Sequence, residues 1–394
     1  MARKKISFRF PRKRSVALID SSGFKFISCY VPENRINVVD VEKVNFFVLL
    51  RMIFLRMKSL HGYNIAFIKA TKPDFVFTFI DNNVDFYRLA HQFPNTRFLA
   101  VQNGLRASYS NQAGLGFFDL LEKSSKNEDL SVQWLCVFGK SSAVQYLKHV
   151  RANVLCMGSM KNNLFDSQGN TATQYDIVYV SQHAPYDAAS SDSRFYFGGD
   201  SIPAADFYRI EQQIVSFLAR WCASTGNTLA VLGKRTSEQI YESDFFKQAA
   251  SPETITFIPR TSDYSTYAYC AAASLIVTAD SAIGYEFLAR GNRVAFLSAR
   301  INAAQASSLR NRHDTDFGYP IELEPNGPFW TNIADESEFE RVIRNVQSLS
   351  DSDWATIIRP YNEQMMAYQP DNREFVNLLV SEGVPLRDEV VYHA

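Results

Sequence analysis

The chain has 394 residues, of which 46% are hydrophobic and 21% charged, a composition typical of a folded protein with a sizeable interior. Its 41 basic side chains balance 41 acidic ones, so no overall positive field argues for binding to nucleic acid. The length exceeds that of one ordinary hydrophobic core and predicts two domains.

The first fourteen residues, MARKKISFRFPRKR, contain seven basic side chains and no acidic one. Two interpretations stay open, a solvated tail and a peripheral contact with the anionic inner membrane. The apolar stretch that follows is short and contains Asp20, so it indicates a strand rather than a leader. Residues 44–57 are interrupted by Arg51 and Arg56 and are too short to span a bilayer; a packed helix is favoured over a membrane-surface one.

Five cysteines are scattered without the spacing of metal ligands, which favours a reduced, cytoplasmic compartment. The six histidines form no ligand pair, and neither a GxGxxG nor a Walker motif occurs. We therefore expect no metal and no other cofactor.

In the first half, segments typical of strands alternate with helical patterns, which is the rhythm of a parallel βαβ sheet. The predicted strands are 15–19, 25–31, 75–80, 97–102 and 134–138. Residues 161–174 are polar and lose apolar periodicity, so we place the domain boundary there. The predicted domains are 1–165 and 166–394.

The second half repeats the rhythm, with predicted strands at 176–180, 228–232, 254–258, 274–278 and 294–297. The polar segment 187–200 is predicted to be a loop on the substrate face. Beyond Trp330 the pattern is helical, and these last helices could pack back on the first domain. The predicted fold class is α/β, with two doubly wound, Rossmann-like domains that face a cleft.

Chemically useful side chains follow the strands of the second domain. His183, Lys234, Arg235, Arg260 and the pair Asp280-Ser281 each come at or just after a strand end. Because the carboxyl ends of parallel strands share one edge, these residues predict a site for an anionic, phosphate-bearing ligand. Asp280 or Ser281 could instead simply cap the helix that follows.

The segment 311–320 is rich in turn formers and should cover the same edge. His313 could serve there as a phosphate partner or proton carrier. Asp314 and Asp316 suggest a divalent metal site, but Arg312 and His313 would compete for both carboxylates, so we predict no metal.

Two strand ends of the first domain also run into polar turns. They offer donors and acceptors that suit sugar hydroxyls, although ordinary turns have the same composition. The candidate acceptor-binding residues are Asp81, Asn82, Gln102, Asn103 and Arg106.

Five sequence segments carry a family resemblance: IDNNVDFYRL at 80–89, LAVQNGLR at 99–106, ADSAIGYEFLARGNRVAF at 279–296, and the later FGYP and GPFW. They resemble bacterial surface-carbohydrate biosynthesis proteins, and within these the retaining β-Kdo transferases of O-antigen and capsule assembly. The resemblance covers roughly residues 75 to 330, and DSAIGYEFLARG is its most specific element. It implies a GT-B type fold, with the acceptor in the amino-terminal domain and a CMP-activated sugar acid in the carboxy-terminal one.

By this resemblance Asp280 matches the nucleophile and His313 the histidine near the donor phosphate. Lys234, Arg235, Arg260 and the helix amino terminus at Ser281 could hold the CMP phosphate or the sugar carboxylate, with His183 at the same edge. Glu286 could bind the nucleotide ribose or orient the loop.

The resemblance therefore implies a glycosyltransferase that moves Kdo from CMP-Kdo, with retention, to a glycan or lipid-linked oligosaccharide. Another CMP-linked nonulosonic acid remains an alternative donor. An inverting mechanism, with Asp280 or His183 as general base, is a second alternative. A non-catalytic sugar-nucleotide or glycan-binding protein is the third, which a carboxylate beside an anionic ligand disfavours.

Overall fold

Two six-stranded sheets, each entirely parallel, form the cores of two compact units. The computed structural model describes residues 5–39, 43–110, 115–166, 174–184, 193–251, 253–304, 307–309 and 311–391. Unit 1 comprises Met1–Leu105, Phe118–Leu164 and Gln369–Ala394, and unit 2 comprises Arg106–Phe117 and Phe165–Tyr368. Chain order alone would not group the segments 106–117 and 369–394 in this way.

The elements alternate along the first half of the chain. The strands are β1 (Lys5–Ser7), β2 (Val16–Ile19), β3 (Ile36–Val39), β4 (Lys43–Asn45), β5 (Phe75–Thr78), β6 (Arg97–Val101), β7 (Ser131–Val137) and β8 (Arg151–Cys156). The helices are α1 (Phe24–Ile27), α2 (Phe46–Phe54), α3 (Leu60–Thr71), α4 (Val84–Gln92), α5 (Phe117–Ser125), α6 (Lys140–Leu147) and α7 (Met160–Asn163).

The second half follows the same pattern. Its strands are β9 (Ile177–Val180), β10 (Arg194–Phe197), β11 (Asp200–Pro203), β12 (Leu229–Leu232), β13 (Thr256–Ile258), β14 (Leu275–Thr278), β15 (Val294–Leu297) and β16 (Trp330–Thr331). Its helices are α8 (Ala204–Thr225), α9 (Tyr241–Lys247), α10 (Ser265–Ala272), α11 (Ala282–Ala289), α12 (Arg300–Ala304), α13 (Glu336–Ser348) and α14 (Asp351–Met365), followed by α15 (Arg373–Ser381) and α16 (Asp388–Val391). Short 3₁₀ turns lie at Glu33–Arg35, Ser307–Leu309 and Pro370–Asn372.

The sheet of unit 1 has the order β3-β2-β5-β6-β7-β8 and that of unit 2 the order β13-β12-β9-β14-β15-β16. In both, the chain starts near the middle and winds outward in two directions, so the predicted doubly wound α/β class is confirmed. Strands β2, β5, β9, β12, β14 and β15 are buried along their whole length, as expected where helices cover both faces of a parallel sheet.

The last helices belong to the core of unit 1. Phe375 and Leu379 of α15 are fully buried in the cluster that includes Leu18 of β2 and Phe77 of β5. Just before this helix, the buried Asn372 donates to Tyr30 Oη (3.0 Å) and accepts from Asn163 (2.8 Å). These hydrogen bonds hold the segment just before α15 against the rest of unit 1.

Two predicted elements are wrong. Residues 25–31 were expected as a strand, but α1 and a turn occupy this segment, because Phe24, Ile27 and Val31 recur at helical spacing. The segment 187–200 was expected to be a loop, but Arg194–Phe197 pairs with Asp200–Pro203 as a hairpin. Phe195 of this hairpin stacks on Phe207 of α8, at 3.7 Å between ring centroids. Residues 185–192 of the predicted loop lie outside the described residues.

Among the residues that the structure describes, no helix combines the length and the apolar character needed to cross a bilayer.

Candidate functional site

The sheet order of unit 2 brings the predicted strand ends to one edge. Strands β12, β9, β14 and β15 are neighbours and run parallel, so the residues after them lie side by side. Gly284, in the first turn of α11, permits close packing there, since a Cβ would lie 2.6 Å from Thr278 Cγ2. The amino terminus of α11 therefore lies at this edge, beside the loops that follow the neighbouring strands.

Asp280 is held by a buried arginine at this edge. Arg300 Nε lies 2.7 Å from Asp280 Oδ2, and Arg300 Nη2 lies 2.7 Å from Oδ1. The same Nη2 lies 2.9 Å from Oε1 of Glu211 on α8. The exposed side-chain fractions are 1% for Arg300, 0% for Glu211 and 17% for Asp280, so only the Asp280 carboxylate reaches solvent.

This ion-pair network fixes charge as well as geometry. Burial alone would lower the pKa of Arg300, but the Asp280 and Glu211 carboxylates hold it well above its ordinary range. Two carboxylates around one guanidinium leave one net negative charge. The planar, bidentate contact also orients the Asp280 carboxylate.

Ser281 caps the helix that follows Asp280. Its hydroxyl oxygen accepts from the backbone N–H of Ile283 (3.3 Å), in agreement with the predicted capping role. The same oxygen accepts from the side-chain amide of Gln182, which follows β9, at 2.6 Å. Gln182 thus connects the β9 and β14 ends.

A buried carboxylate holds the loop after β12, which carries Lys234 and Arg235 and is called the cationic loop below. Glu242 of α9 accepts from the backbone N–H of Lys234 (2.9 Å) and Arg235 (3.1 Å) and from Ser181 Oγ (2.6 Å). It has no exposed surface, and burial raises its pKa although these hydrogen bonds oppose the rise. Lys234 Nζ lies 3.5 Å from Oε1 of Gln182, which brings the cation next to the Asp280 loop.

The electrostatics of this loop favour an anionic ligand. The pKa of Lys234 is lowered chiefly by burial and, to a smaller extent, by the charge of the neighbouring Arg235. An anion bound beside Lys234 would offset both effects.

His183 lies in an aromatic environment at the same edge. Its ring stacks on Phe245 at 3.9 Å between centroids and meets Tyr208 edge-on at 4.7 Å. Burial, aided by the Arg300 and Lys234 charges, lowers the pKa of His183 to about 4. The imidazole is therefore neutral at neutral pH and a weak base, which disfavours its role in the inverting alternative.

Three other predicted residues have partners of their own or a more distant place. Glu286 of α11 is buried and accepts a hydrogen bond from Tyr267 of α10. Arg260 is exposed beyond β13, which lies three strands from β14, about 14 Å at ordinary strand spacing. His313 is half exposed, and its Nδ1 lies 2.8 Å from Asp316 Oδ2.

The loop that carries His313 is anchored on α11. Phe317 stacks on Tyr285 with nearly parallel rings 5.6 Å apart, and the N–H of Gly318 donates to Tyr285 Oη at 2.9 Å. Asp314 accepts from Arg312 Nε (2.5 Å) and from Ser108 Oγ. Arg312 and His313 thus contact the two carboxylates. Within the described ranges no group of three or more potential ligands could hold a metal ion, and the expected absence of a metal stays a prediction.

The candidate acceptor residues divide into buried and exposed side chains. Asp81 is fully buried and accepts from Tyr146 Oη and from the N–H of Asn103 (3.1 Å). Gln102 donates to Gly104 O and accepts from the N–H of Phe138, both at 2.9 Å. These two side chains position the strand ends of unit 1. Asn82 and Asn103 are exposed, whereas Arg106 falls in unit 2.

Arg300, Glu211, Glu242 and Gln182 are site residues that the sequence analysis did not select. A signal existed for two of them. Arg300 comes just after the predicted strand 294–297, and Glu211 interrupts the apolar face of a long helix. Glu242 and Gln182 become apparent only from their contacts.

The two parallel sheets define a GT-B-like fold, which is shared with UDP-GlcNAc 2-epimerases. The S. aureus MnaA–UDP co-structure is similar, with a TM-score of 0.51 and 11% identity over 94% of this chain and 97% of that chain. So is UDP-GlcNAc 2-epimerase from Methanocaldococcus jannaschii in complex with UDP-GlcNAc and UDP, with a TM-score of 0.50 and 11% identity over 94% and 100%. Sucrose-phosphate synthase from Thermosynechococcus elongatus gives a TM-score of 0.45 and 13% identity over 82% and 79%.

A family model described as "putative O-antigen biosynthesis protein" matches residues 99–382, well over half of the chain. The chain belongs to this family. No curated protein sequence matches it significantly.

Proposed function

We propose that the chain is a retaining glycosyltransferase of O-antigen synthesis, and that it transfers Kdo from CMP-Kdo to a glycan or lipid-linked acceptor. The family supports a role in O-antigen assembly, and the fold is one that sugar-nucleotide enzymes use. The choice of CMP-Kdo rests on the sequence resemblance around DSAIGYEFLARG.

One observation carries the proposal: a partly exposed, oriented carboxylate lies beside a cationic loop at the carboxyl edge of a parallel sheet. Asp280 supplies the carboxylate, and Lys234 and Arg235 supply the cations. CMP-Kdo carries two anionic groups, a phosphate and a sugar carboxylate. The cations would bind these groups, while the anomeric carbon would face Asp280.

The proposed reaction has two displacements. An Asp280 oxygen attacks the anomeric carbon, and the bond to the phosphate oxygen breaks with its electron pair leaving on CMP. The acceptor hydroxyl then attacks the same carbon from the opposite side, releasing the carboxylate and giving up its proton to solvent. Two inversions give net retention.

The contact with Arg300 is compatible with this role. A carboxylate has about four lone-pair positions, and Arg300 uses two of them. The remaining positions stay available for attack, while the guanidinium holds the carboxylate in one orientation.

A transfer assay tests the proposal. The chain is incubated with CMP-Kdo and candidate acceptors, and the anomeric configuration of the product is determined by NMR. Kdo transfer with retention supports it, whereas an inverted product contradicts the mechanism and points to a general base instead.

Two further outcomes separate the remaining alternatives. Transfer of another CMP-linked nonulosonic acid in place of Kdo would correct the donor. Binding of CMP-Kdo without its consumption, or epimerisation of UDP-GlcNAc without transfer, would overturn the proposed class of reaction.

A further inference from the structure

Unit 1 exposes large apolar side chains on two adjoining segments, the amino-terminal residues 6–10 and α2. We call them together the α2 surface. Its members and their exposed fractions are Ile6 (53%), Phe8 (66%), Phe10 (72%), Leu50 (47%), Ile53 (67%) and Phe54 (86%). Isolated exposed apolar side chains are ordinary, but a contiguous group of this size marks an interaction site.

Several contacts make the two segments one surface. Strand β1 pairs in parallel with β4, and Asn45 Nδ2 donates to the carbonyl oxygen of Arg9 at 2.7 Å. The rings of Phe8 and Phe46 are 5.2 Å apart, and those of Phe10 and Phe47 are 4.4 Å apart. The amino-terminal segment is therefore fastened to the start of α2.

The helix itself turns an apolar face outward. At about 100° per residue, Phe46, Leu50, Ile53 and Phe54 share one arc, while the fully buried Val48 lies on the opposite side. A helix at the surface of a water-soluble domain normally does the reverse and exposes its polar face.

Exposed cations lie along the same stretches of chain as this apolar arc. The exposed basic side chains on the two segments and just after α2 are Arg9, Arg12, Lys13, Arg51, Arg56 and Lys58. The sequence contains no acidic residue at 1–19 or at 43–73. Lys13 also borders a cavity of about 400 Å³ that is lined by three further cations, Arg14, Arg35 and Lys72, and by one carboxylate, Asp74. Exposed apolar side chains with cations nearby in the chain suit a layer that is anionic at its surface and apolar beneath.

We propose that the α2 surface docks on an anionic lipid bilayer, with Phe54, Ile53 and the amino-terminal phenylalanines inserted between headgroups. Arg51, Arg56 and the basic residues of the first segment then bind lipid phosphates. Charge complementarity decides between a membrane and a second copy of the chain, because two copies meeting on this face would bring their cations together. This docking depends on neither the donor nor the transfer mechanism.

Vesicle flotation of the full chain tests the proposal, with vesicles of phosphatidylcholine alone or mixed with phosphatidylglycerol, at low and high salt. Three double variants are compared: Ile53→Ser with Phe54→Ser, Arg51→Gln with Arg56→Gln, and a control. The control, Val144→Ser with Leu147→Ser, removes apolar side chains of similar exposure (59% and 48%) from α6 of the same unit.

The chain should float with the anionic vesicles, and high salt should weaken this binding. The apolar pair and the cationic pair should each reduce the partition coefficient at least about tenfold, whereas the control should leave it unchanged. Circular dichroism verifies that each variant is folded.

Three results would overturn the proposal. In the first, the wild type does not float with anionic vesicles. In the second, the wild type and both surface variants float equally. In the third, the chain self-associates without binding vesicles, and the Ile53→Ser, Phe54→Ser variant abolishes the self-association. The last result would assign the surface to a second copy instead.

Discussion

Arg300 bridges two carboxylates from different elements, Asp280 after β14 and Glu211 on α8. Replacing it by methionine leaves both carboxylates without their cation in a site that water barely reaches. We expect Arg300→Met to lower the free energy of unfolding by about 3–5 kcal/mol, measured by urea denaturation.

Arg220→Met is the matched control, because Arg220 pairs with Glu336 at an exposed position (57% and 62%) and should matter little. Equal destabilisation by the two substitutions would show that the buried network has no special role in stability.

The catalytic role of Asp280 is a separate prediction. Asp280→Asn retains an oxygen that can accept from Arg300 but removes the negative charge and the nucleophile. We expect Kdo transfer to fall by about 10³-fold or more, measured as the initial rate with CMP-Kdo and acceptor.

Asp244→Asn, at a half-exposed pair with Lys247, should retain full activity. If a folded Asp280→Asn protein transferred Kdo at the wild-type rate, Asp280 would not be the nucleophile and would have only a structural role.

His183 makes stability depend on pH. Its pKa is about 4 in the folded chain, whereas an unfolded histidine has a pKa of about 6.5, so the unfolded state binds the extra proton between these values. This contribution is fully present above about pH 6.5 and is lost as the pH falls towards about 4. His183→Gln removes it, so the stability advantage of the wild type over this variant should shrink by about 3 kcal/mol between pH 7 and 4.

Urea denaturation at each pH measures this difference, with His91→Gln at an exposed position as the control. A wild-type advantage that is constant with pH would contradict the neutral, buried assignment of His183.

Among single residues, the sequence pointed to Asp280 and Ser281 as site candidates, because a strand followed directly by a helix is a local pattern. It could not identify the partners. Arg300 lies 20 positions and Glu211 lies 69 positions along the chain from Asp280, and only the packing of α8 and α12 brings them together. The roles of all the candidate site residues stay predictions, those of Asp280 and Lys234 as much as that of His313.

At the scale of elements, α9 supports the cationic loop through Glu242. Glutamine at this position keeps one acceptor oxygen but sets an amide NH₂ against the backbone N–H groups of Lys234 and Arg235. We expect Glu242→Gln to weaken CMP-Kdo binding about tenfold or more, measured by calorimetry. Glu238→Gln, at an exposed position before α9, is the control.

An unchanged Kd for Glu242→Gln would mean that the loop is held by other contacts or does not bind the donor. A chain that binds no CMP-Kdo at all would place the failure in the choice of donor instead.

Elements were predicted well where apolar runs are long, as in β9, β12 and β14, and poorly where they are short. Residues 25–31 combine strand-like composition with helical spacing, and only packing of Phe24 and Ile27 on the sheet decides between them. In the hairpin of β10 and β11, Phe195 and Phe197 are buried and the residue between them is not, which is a strand pattern. The segment around them is too polar overall for this short pattern to predict a strand.

At the scale of the whole molecule, the alternation of strands and helices predicted two parallel sheets, but not the strands β3, β8 and β16 that complete them. The grouping of residues 369–394 with unit 1 could not be derived from chain order, because it depends on burial of Phe375 and Leu379 beside strands more than 300 residues earlier, such as β2. The short amide contacts of Asn372 have no sequence signature either.

The central claim is that Asp280 forms a covalent bond with the transferred sugar. The direct measurement is the intact mass of the chain after incubation with CMP-Kdo in the absence of acceptor, followed by peptide mapping. The account predicts a mass increase of one Kdo residue, located on Asp280, that disappears when acceptor is added. Retaining transfer without any adduct under slowed turnover, or an adduct on another residue, would contradict it.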